Sequence, residues 1–289
     1  SRSLYTRMRQ KSVDLRKIVS THLERSSKKL DLQLKQLKDT EKRDKFKVYG
    51  ELLNTYGYQV TEGAKSVEVP NYYTGEMLTI PLDETLSPLD NAKKYFARYN
   101  KLKRTFEALN TQTEETRTEI AHLQTIQAAL AIAESEDDLS QIRDELETYG
   151  YIRRKMNGKK KQKSKSKPFH YRSSDGFDIY VGKNNFQNDE LTFKVANGND
   201  WWFHAKGMPG SHVIVKTEGR ELPDRTFEEA GRLAGYYSSG RDNEKIEIDY
   251  LQRKNVKKPN GAVAGYVIYY TNYSLTIHPD ISGIEKISE

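Results

Sequence analysis

The chain has no cysteine among its 289 residues, which excludes disulfides and every cysteine-ligated metal site. Nowhere does an apolar run approach the ~18 residues that a membrane-spanning helix needs. Tryptophan occurs twice only, at the adjacent positions Trp201 and Trp202. Across residues 3–54 there is no proline, and glycine first appears at Gly50, so nothing earlier in that stretch breaks a helix. Acidic side chains are missing from residues 151–168, which hold nine lysines and arginines. No glycine-rich phosphate loop of P-loop type occurs. The chain begins Ser1-Arg2-Ser3 and runs straight into charged sequence, without the apolar core of a signal peptide. Without an initiator Met it reads as a fragment, and the absence of cysteine fits a cytosolic protein.

What is present is charge and helical periodicity. Charged residues make up 31% and hydrophobic ones 35%, with a net charge of +7 and a pI of about 9.1. That balance suits a chain of two domains with a long solvated helical part, and it suggests a polyanionic partner. Leu23, Leu30 and Leu37 recur every seven residues, with Val19 and Leu34 nearby, as in a coiled coil. Around residues 57–82 the pattern changes to Tyr and Val broken by Gly and Pro, which predicts a small β element. Ser87-Pro88 then opens a second helix with an N-cap and a first-turn proline. Its apolar positions Tyr95, Tyr99, Leu102, Phe106 and Leu109 step by four and three. The two helices are expected to pair antiparallel, with Leu30 and Leu109 near one level of the seam. Tyr95, Phe96 and Tyr99 are read as packing residues. A shorter helix over about 135–149 ends at Gly150.

The predicted fold class is therefore α+β. Residues 1–150 form a long antiparallel coiled-coil arm with a small β insertion at about 57–82. Residues 151–168 form a basic linker, and residues 169–289 a mixed α/β domain. Strands are expected at 169–173, 177–182, 200–205, 212–217, 245–250 and 263–278, and helices at 185–197 and 224–238. In the linker Lys159, Lys160, Lys161 and Lys163 could neutralise successive phosphates. Arg172, Lys183, Lys194, Lys206, Lys216, Arg253, Lys254, Lys257 and Lys258 would add to the positive field of the last domain.

The densest cluster of chemistry-bearing residues is Asp200-Trp201-Trp202-Phe203-His204-Ala205-Lys206-Gly207-Met208-Pro209-Gly210-Ser211-His212. Aromatics, histidines and a lysine here surround a Gly-Met-Pro-Gly turn. This run resembles the signature of the NFACT RNA-binding domain, which closes the proteins of the NEMF/RqcH family, also called the fibronectin-binding protein A type. The stretch Asn91-Ala92…Tyr95-Phe96…Tyr99-Asn100-Lys101 is similar to the family's coiled-coil and middle region. The resemblance implies a non-enzymatic factor of ribosome quality control in the cytoplasm. Its members bind the large ribosomal subunit, recruit tRNA, and support template-free tailing of stalled chains with alanine in bacteria. It also implies that tRNA selection lies mainly in an N-terminal domain without a counterpart here. The older family name implies a rival, a surface adhesin that binds fibronectin, although no export signal is visible. No cofactor is implied.

On the residues themselves, Trp202, His204, Lys206, Gly207, Pro209, Gly210, Ser211 and His212 are the candidate RNA-binding set. Aromatic faces can stack on bases, His and Lys can meet phosphates, and a glycine turn admits close backbone approach. Strand alternation predicts Trp201 and Phe203 facing the core and Trp202 facing out. Asp200, His204 and His212 form the one cluster that could hold zinc or do acid–base work. No second carboxylate stands near in sequence, so the recognition reading is preferred and no metal or catalytic residue is expected.

Overall fold

The computed structural model describes residues 2–154 and 165–288. Lys159, Lys160, Lys161 and Lys163 lie outside these described residues. The fold is α+β, and the chain forms two compact units, Ser26–Thr118 on one hand and Ser1–Arg25 with Glu119–Glu289 on the other.

In the first unit, the end of helix α1 (Arg2–Asp39) and helix α2 (Arg43–Tyr56) run antiparallel to the start of α3 (Pro88–Ile132). The unbroken helix expected over 3–54 is interrupted by a tight turn at Thr40–Lys42. There the buried Thr40 hydroxyl donates to the Leu37 carbonyl at 2.6 Å, a local bond that competes with regular helix. Thr116 Oγ1 donates to Gln33 Oε1 at 2.8 Å, and the Arg43 guanidinium lies 4.0 Å over the Phe106 ring. These pairings correct the expected register. Stepping from Thr116 back to Leu109 along α3 corresponds to stepping from Gln33 forward to Thr40, so Leu109 stands opposite Thr40 rather than Leu30.

The predicted β element is an antiparallel hairpin of β1 (Ser66–Pro70) and β2 (Met77–Pro81). Its Val69 and Ile80 are buried with Phe46, Tyr49, Leu52 and Tyr95. Ser87 caps α3 by accepting from the Asp90 N–H at 3.1 Å. Asn91, also buried, ties the entry to α3 together. Its Oδ1 accepts from Asp83 N, and its Nδ2 donates to the carbonyls of Asp83, Leu86 and Ser87. Tyr95, Phe96 and Tyr99 do pack against the hairpin core.

In the second unit, Leu15 and Val19 of α1 and Ile126 and Leu130 of α3 enclose Leu139, Ile142 and Leu146 of α4 (Glu136–Thr148). Helix α4 ends at Gly150, where Gly150 N donates to Glu147 O and Tyr151 N to Leu146 O, a Schellman motif. A seven-stranded antiparallel sheet follows. Its strands are β3 (Phe169–Arg172), β4 (Asp178–Val181), β5 (Trp201–Ala205), β6 (Val213–Val215), β7 (Ile246–Gln252), β8 (Tyr273–Ile277) and β9 (Glu285–Ile287). Their order across the sheet is β8-β7-β5-β6-β4-β3-β9. One face is covered by α6 (Asp224–Tyr236), whose buried Ala230, Leu233 and Ala234 meet Phe203, Val213 and Ile248.

Two expectations need correction here, and one strand was not foreseen. The helix predicted at 185–197 is α5 (Asn185–Glu190), which widens into a π turn at Leu191–Val195. The strand predicted at 263–278 is only β8, and residues 256–272 fold instead as a loop over the sheet. Lys258 Nζ gathers that loop by donating to the carbonyls of Val263 and Tyr266 while pairing with Asp189 at 3.2 Å. The edge strand β9 escaped the sequence reading because three residues carry too little alternation to be seen.

Candidate nucleic-acid interface

Strands β5 and β6 are joined by the turn that the sequence singles out. Trp202 pairs with Ile214 and Phe203 with Val213 across them. Gly207 adopts φ +66°, a left-handed conformation that favours glycine, and it is exposed together with Lys206. Pro209 and Gly210 are half-buried, because the turn lies against the residues after α6. Gly210 bridges to Ser238, and Ser239 N donates to Pro209 O at 2.9 Å. A Cβ on Gly210 would stand 3.0 Å from that of Ser238, so this approach needs glycine. Lys206 Nζ reaches Glu247 at 3.5 Å across the neighbouring strand.

The structure divides the candidate set. Lys206, Gly207, Pro209 and Gly210 reach solvent, His204 is half-buried, and Trp202, Ser211 and His212 are buried. Trp202 is the main correction. It does point away from Trp201 and Phe203, as alternation demands, yet it does not meet water. A second apolar layer of Leu191, Ile214, Leu251 and Val256 encloses it, so it is no stacking platform. Leu191 of the π turn and Val256 of the loop close that layer over the sheet, and neither segment has an amphipathic period that sequence reading detects.

His212 is a structural residue. Its Nε2 meets the Gly265 carbonyl at 3.1 Å, its Nδ1 meets Thr192 Oγ1 at 2.8 Å, and its backbone N–H donates to Asn188 Oδ1. Burial, followed by the nearby His204 ring, lowers its pKa from 6.5 to about 3, so it is neutral. His204 stacks on Trp202 at 5.6 Å, and burial likewise lowers its pKa, opposed in part by Asp249 across the strand pair. Asp200 is committed elsewhere. It pairs with Lys216 at 2.6 Å and accepts from the N–H groups of Thr217 and Asn197. Burial would raise its pKa, but those donors outweigh it and leave the carboxyl ionised below the ordinary range. Asp200, His204 and His212 therefore do not assemble a ligand set, and among the described residues no group of three His, Asp or Glu could hold a metal ion.

The basic residues also divide. Lys183 pairs with Asp138, Lys216 with Asp200, Lys258 with Asp189, and Arg172 with Asp178. Lys194, Lys254 and Lys257 stay exposed. Hydrogen bonds bring the first two elements together: Lys254 N donates to Gly198 O, and Arg253 Nε donates to Thr192 O with its guanidinium 4.9 Å over Phe193. The π turn and the turn after β7 thus present an exposed basic patch that is not spent on internal carboxylates.

Sequence reading missed a buried polar network beneath this domain. His122 Nε2 lies 2.9 Å from Glu145 Oε2, which also accepts from Asn185 Nδ2 at 2.8 Å. The same amide donates to Thr125, and Asn188 reaches the His212 backbone. The signal was the amide run Asn184-Asn185…Gln187-Asn188, too polar for a buried helix unless every amide is partnered.

The family model for NFACT N-terminal and middle domains matches residues 2–165, and that for the NFACT protein RNA-binding domain matches residues 167–269. The chain is 40% identical over 282 residues to the Rqc2 homolog RqcH of Streptococcus suis (strain 05ZYH33), covering 97% of this chain and 50% of that protein. It is 36% identical over 287 residues to the Rqc2 homolog RqcH of Bacillus subtilis (strain 168), covering 98% and 50%. The chain thus spans about half the length of the curated relatives it matches. A solved structure of the C-terminal part of the fibronectin/fibrinogen-binding protein from Streptococcus suis (FBPS) superposes with a TM-score of 0.76 at 33% identity. It covers 97% of this chain and 100% of that one.

Proposed function

This chain belongs to the NFACT family, and from that premise we propose that it is the part of a ribosome quality control factor that grips RNA on the large ribosomal subunit. The carrying observation is that the RNA-binding family model falls on the sheet domain, whose exposed Lys194, Lys254 and Lys257 are free of carboxylate partners among the described residues. The basic segment 151–168 joins it directly. The role is binding and positioning rather than catalysis, and it is exercised in the cytoplasm. In the complete protein, tRNA recruitment and alanine tailing would depend on further parts beside this one. No helix among the described residues is long and apolar enough to cross a membrane.

Neutralising several phosphates makes affinity fall steeply with salt. Changing Lys159, Lys160, Lys161 and Lys163 together to Gln should lower the slope of log affinity against log salt by up to about 3–4, at roughly 0.7–0.9 for each phosphate left without its lysine. Filter binding to ribosomal RNA across a salt series measures it. An unchanged slope would reduce the segment to a spacer.

A second reading comes from the solved relative, a fibronectin/fibrinogen-binding protein. Ribonuclease-sensitive co-sedimentation with large subunits supports the ribosomal reading. Saturable capture by immobilised fibronectin that ribonuclease leaves intact supports the other.

A further inference from the structure

Beyond the signature turn, the sheet carries a cleft of about 450 Å³ where β5 begins and β7 ends. Trp201 pairs with Gln252, and Tyr250 pairs with Tyr273. Alternation therefore places Trp201, Tyr250, Gln252 and Tyr273 on one face. Beside the cleft, Tyr250 stacks on Phe203 and on Tyr273 at 5.4 Å each and so backs the Tyr273 ring. An edge-on approach to Phe227 at 4.9 Å holds Trp201. Trp201 and Tyr273 stand 6.1 Å apart with their planes at 54°, so they form an open wedge rather than a closed stack. Tyr273 keeps 62% of its surface exposed, so its ring is open to a ligand from solvent.

The polar lining points the same way. The side chains of Gln252 and Asn255 line the cleft and make no hydrogen bond among the described residues. Asn272 is different, because its amide is spent on Asp249 and Ser274. A free carboxamide offers donors and an acceptor together, the pattern that matches a base edge. None of the lining residues is charged. A phosphate would find no counter-charge inside, whereas a neutral planar group would find two aromatic faces and two amides. Immediately beside Asn255 in the chain stands the exposed Lys254, within the basic patch.

We propose that this cleft receives one unpaired nucleobase of bound RNA, stacked on Tyr273 and Trp201, with Gln252 and Asn255 at its edge and Lys254 on the adjoining phosphate. The proposal rests on the RNA-binding reading and adds a ligand state to it: a single-stranded nucleotide, since a base inside a duplex cannot enter a wedge.

The test compares two probes on the full chain, a short homopolymeric single-stranded RNA and a blunt-ended RNA duplex. Tyr273→Ala should weaken the single strand by about five- to a hundredfold, the worth of one stacked base. Tyr273→Phe, which keeps the ring, should restore it. Duplex affinity should be unchanged in both. Circular dichroism checks that the variants fold. Should Tyr273→Ala fail to fold, Gln252→Glu serves instead, because a carboxylate in the cleft repels the strand and should lower single-strand affinity selectively. Unchanged single-strand affinity, or equal losses for both probes, would overturn the cleft while wild-type RNA binding stood. Absence of wild-type binding to either RNA would instead remove the functional reading beneath it.

Discussion

Trp202→Ala is expected to destabilise the sheet domain by about 3–5 kcal/mol, the range for truncating a large buried aromatic. Trp202 is 1% exposed and touches His204, His212 and Tyr269 with ring centres 5.2–5.6 Å away. Its removal opens a cavity among Leu191, Ile214, Leu251 and Val256 beneath the π turn and the 256–272 loop. Chemical denaturation followed by near-ultraviolet circular dichroism reads the loss. Trp202→Phe should cost less, because the indole N–H has no hydrogen-bond partner among the described residues and its removal strands nothing. RNA binding by Trp202→Ala should fall only in proportion to the unfolded fraction. Weakened binding with an unshifted denaturation midpoint would return Trp202 to the role of a stacking platform.

Mild acid should destabilise this domain through the buried imidazole of His212. His212 has a folded-state pKa of about 3 against an ordinary 6.5. Above pH 6.5 the ring is neutral in both states and contributes no pH dependence. As pH falls from 6.5 towards 3, the unfolded chain takes up a proton that the folded chain refuses, and stability drops by up to about 1.4 kcal/mol per pH unit. The carboxylates held below their ordinary range, Asp138, Asp178 and Asp200, destabilise only once pH approaches their unfolded value of 3.8. The interval from pH 6.5 to 5 therefore isolates histidine. Urea midpoints across it should fall steeply for the wild type and more shallowly for His212→Gln. Parallel slopes in the two proteins would show that the ring is protonated in the native state.

The long helices were legible in sequence because their signals are local. Ser87-Pro88 caps a helix wherever it occurs, and Gly150 ends one by the freedom of its own backbone. Strands β3 to β7 were legible from alternation. Trp202 and His212 were misplaced because their burial depends on residues far along the chain, which cover the sheet with irregular backbone. A loop that protects a sheet face carries no period; Lys258 holds it by bonds to backbone carbonyls and to Asp189 that no spacing rule foretells. The coiled-coil level of Leu30 and Leu109 failed for a related reason. The heptad shows that a seam exists, but register is decided by particular pairs such as Gln33 with Thr116.

Both margins of the sheet, β8 and β9, come from residues after position 269, where the RNA-binding family match stops. A chain cut at that apparent boundary would bare one edge of β7 and one edge of β3, which β8 and β9 otherwise pair. Bare strand rims of this kind recruit other strands, so such a piece would self-associate into insoluble material even though every candidate RNA-binding residue before position 270 were retained. The last few residues, unremarkable in composition, act as selvedge for the domain.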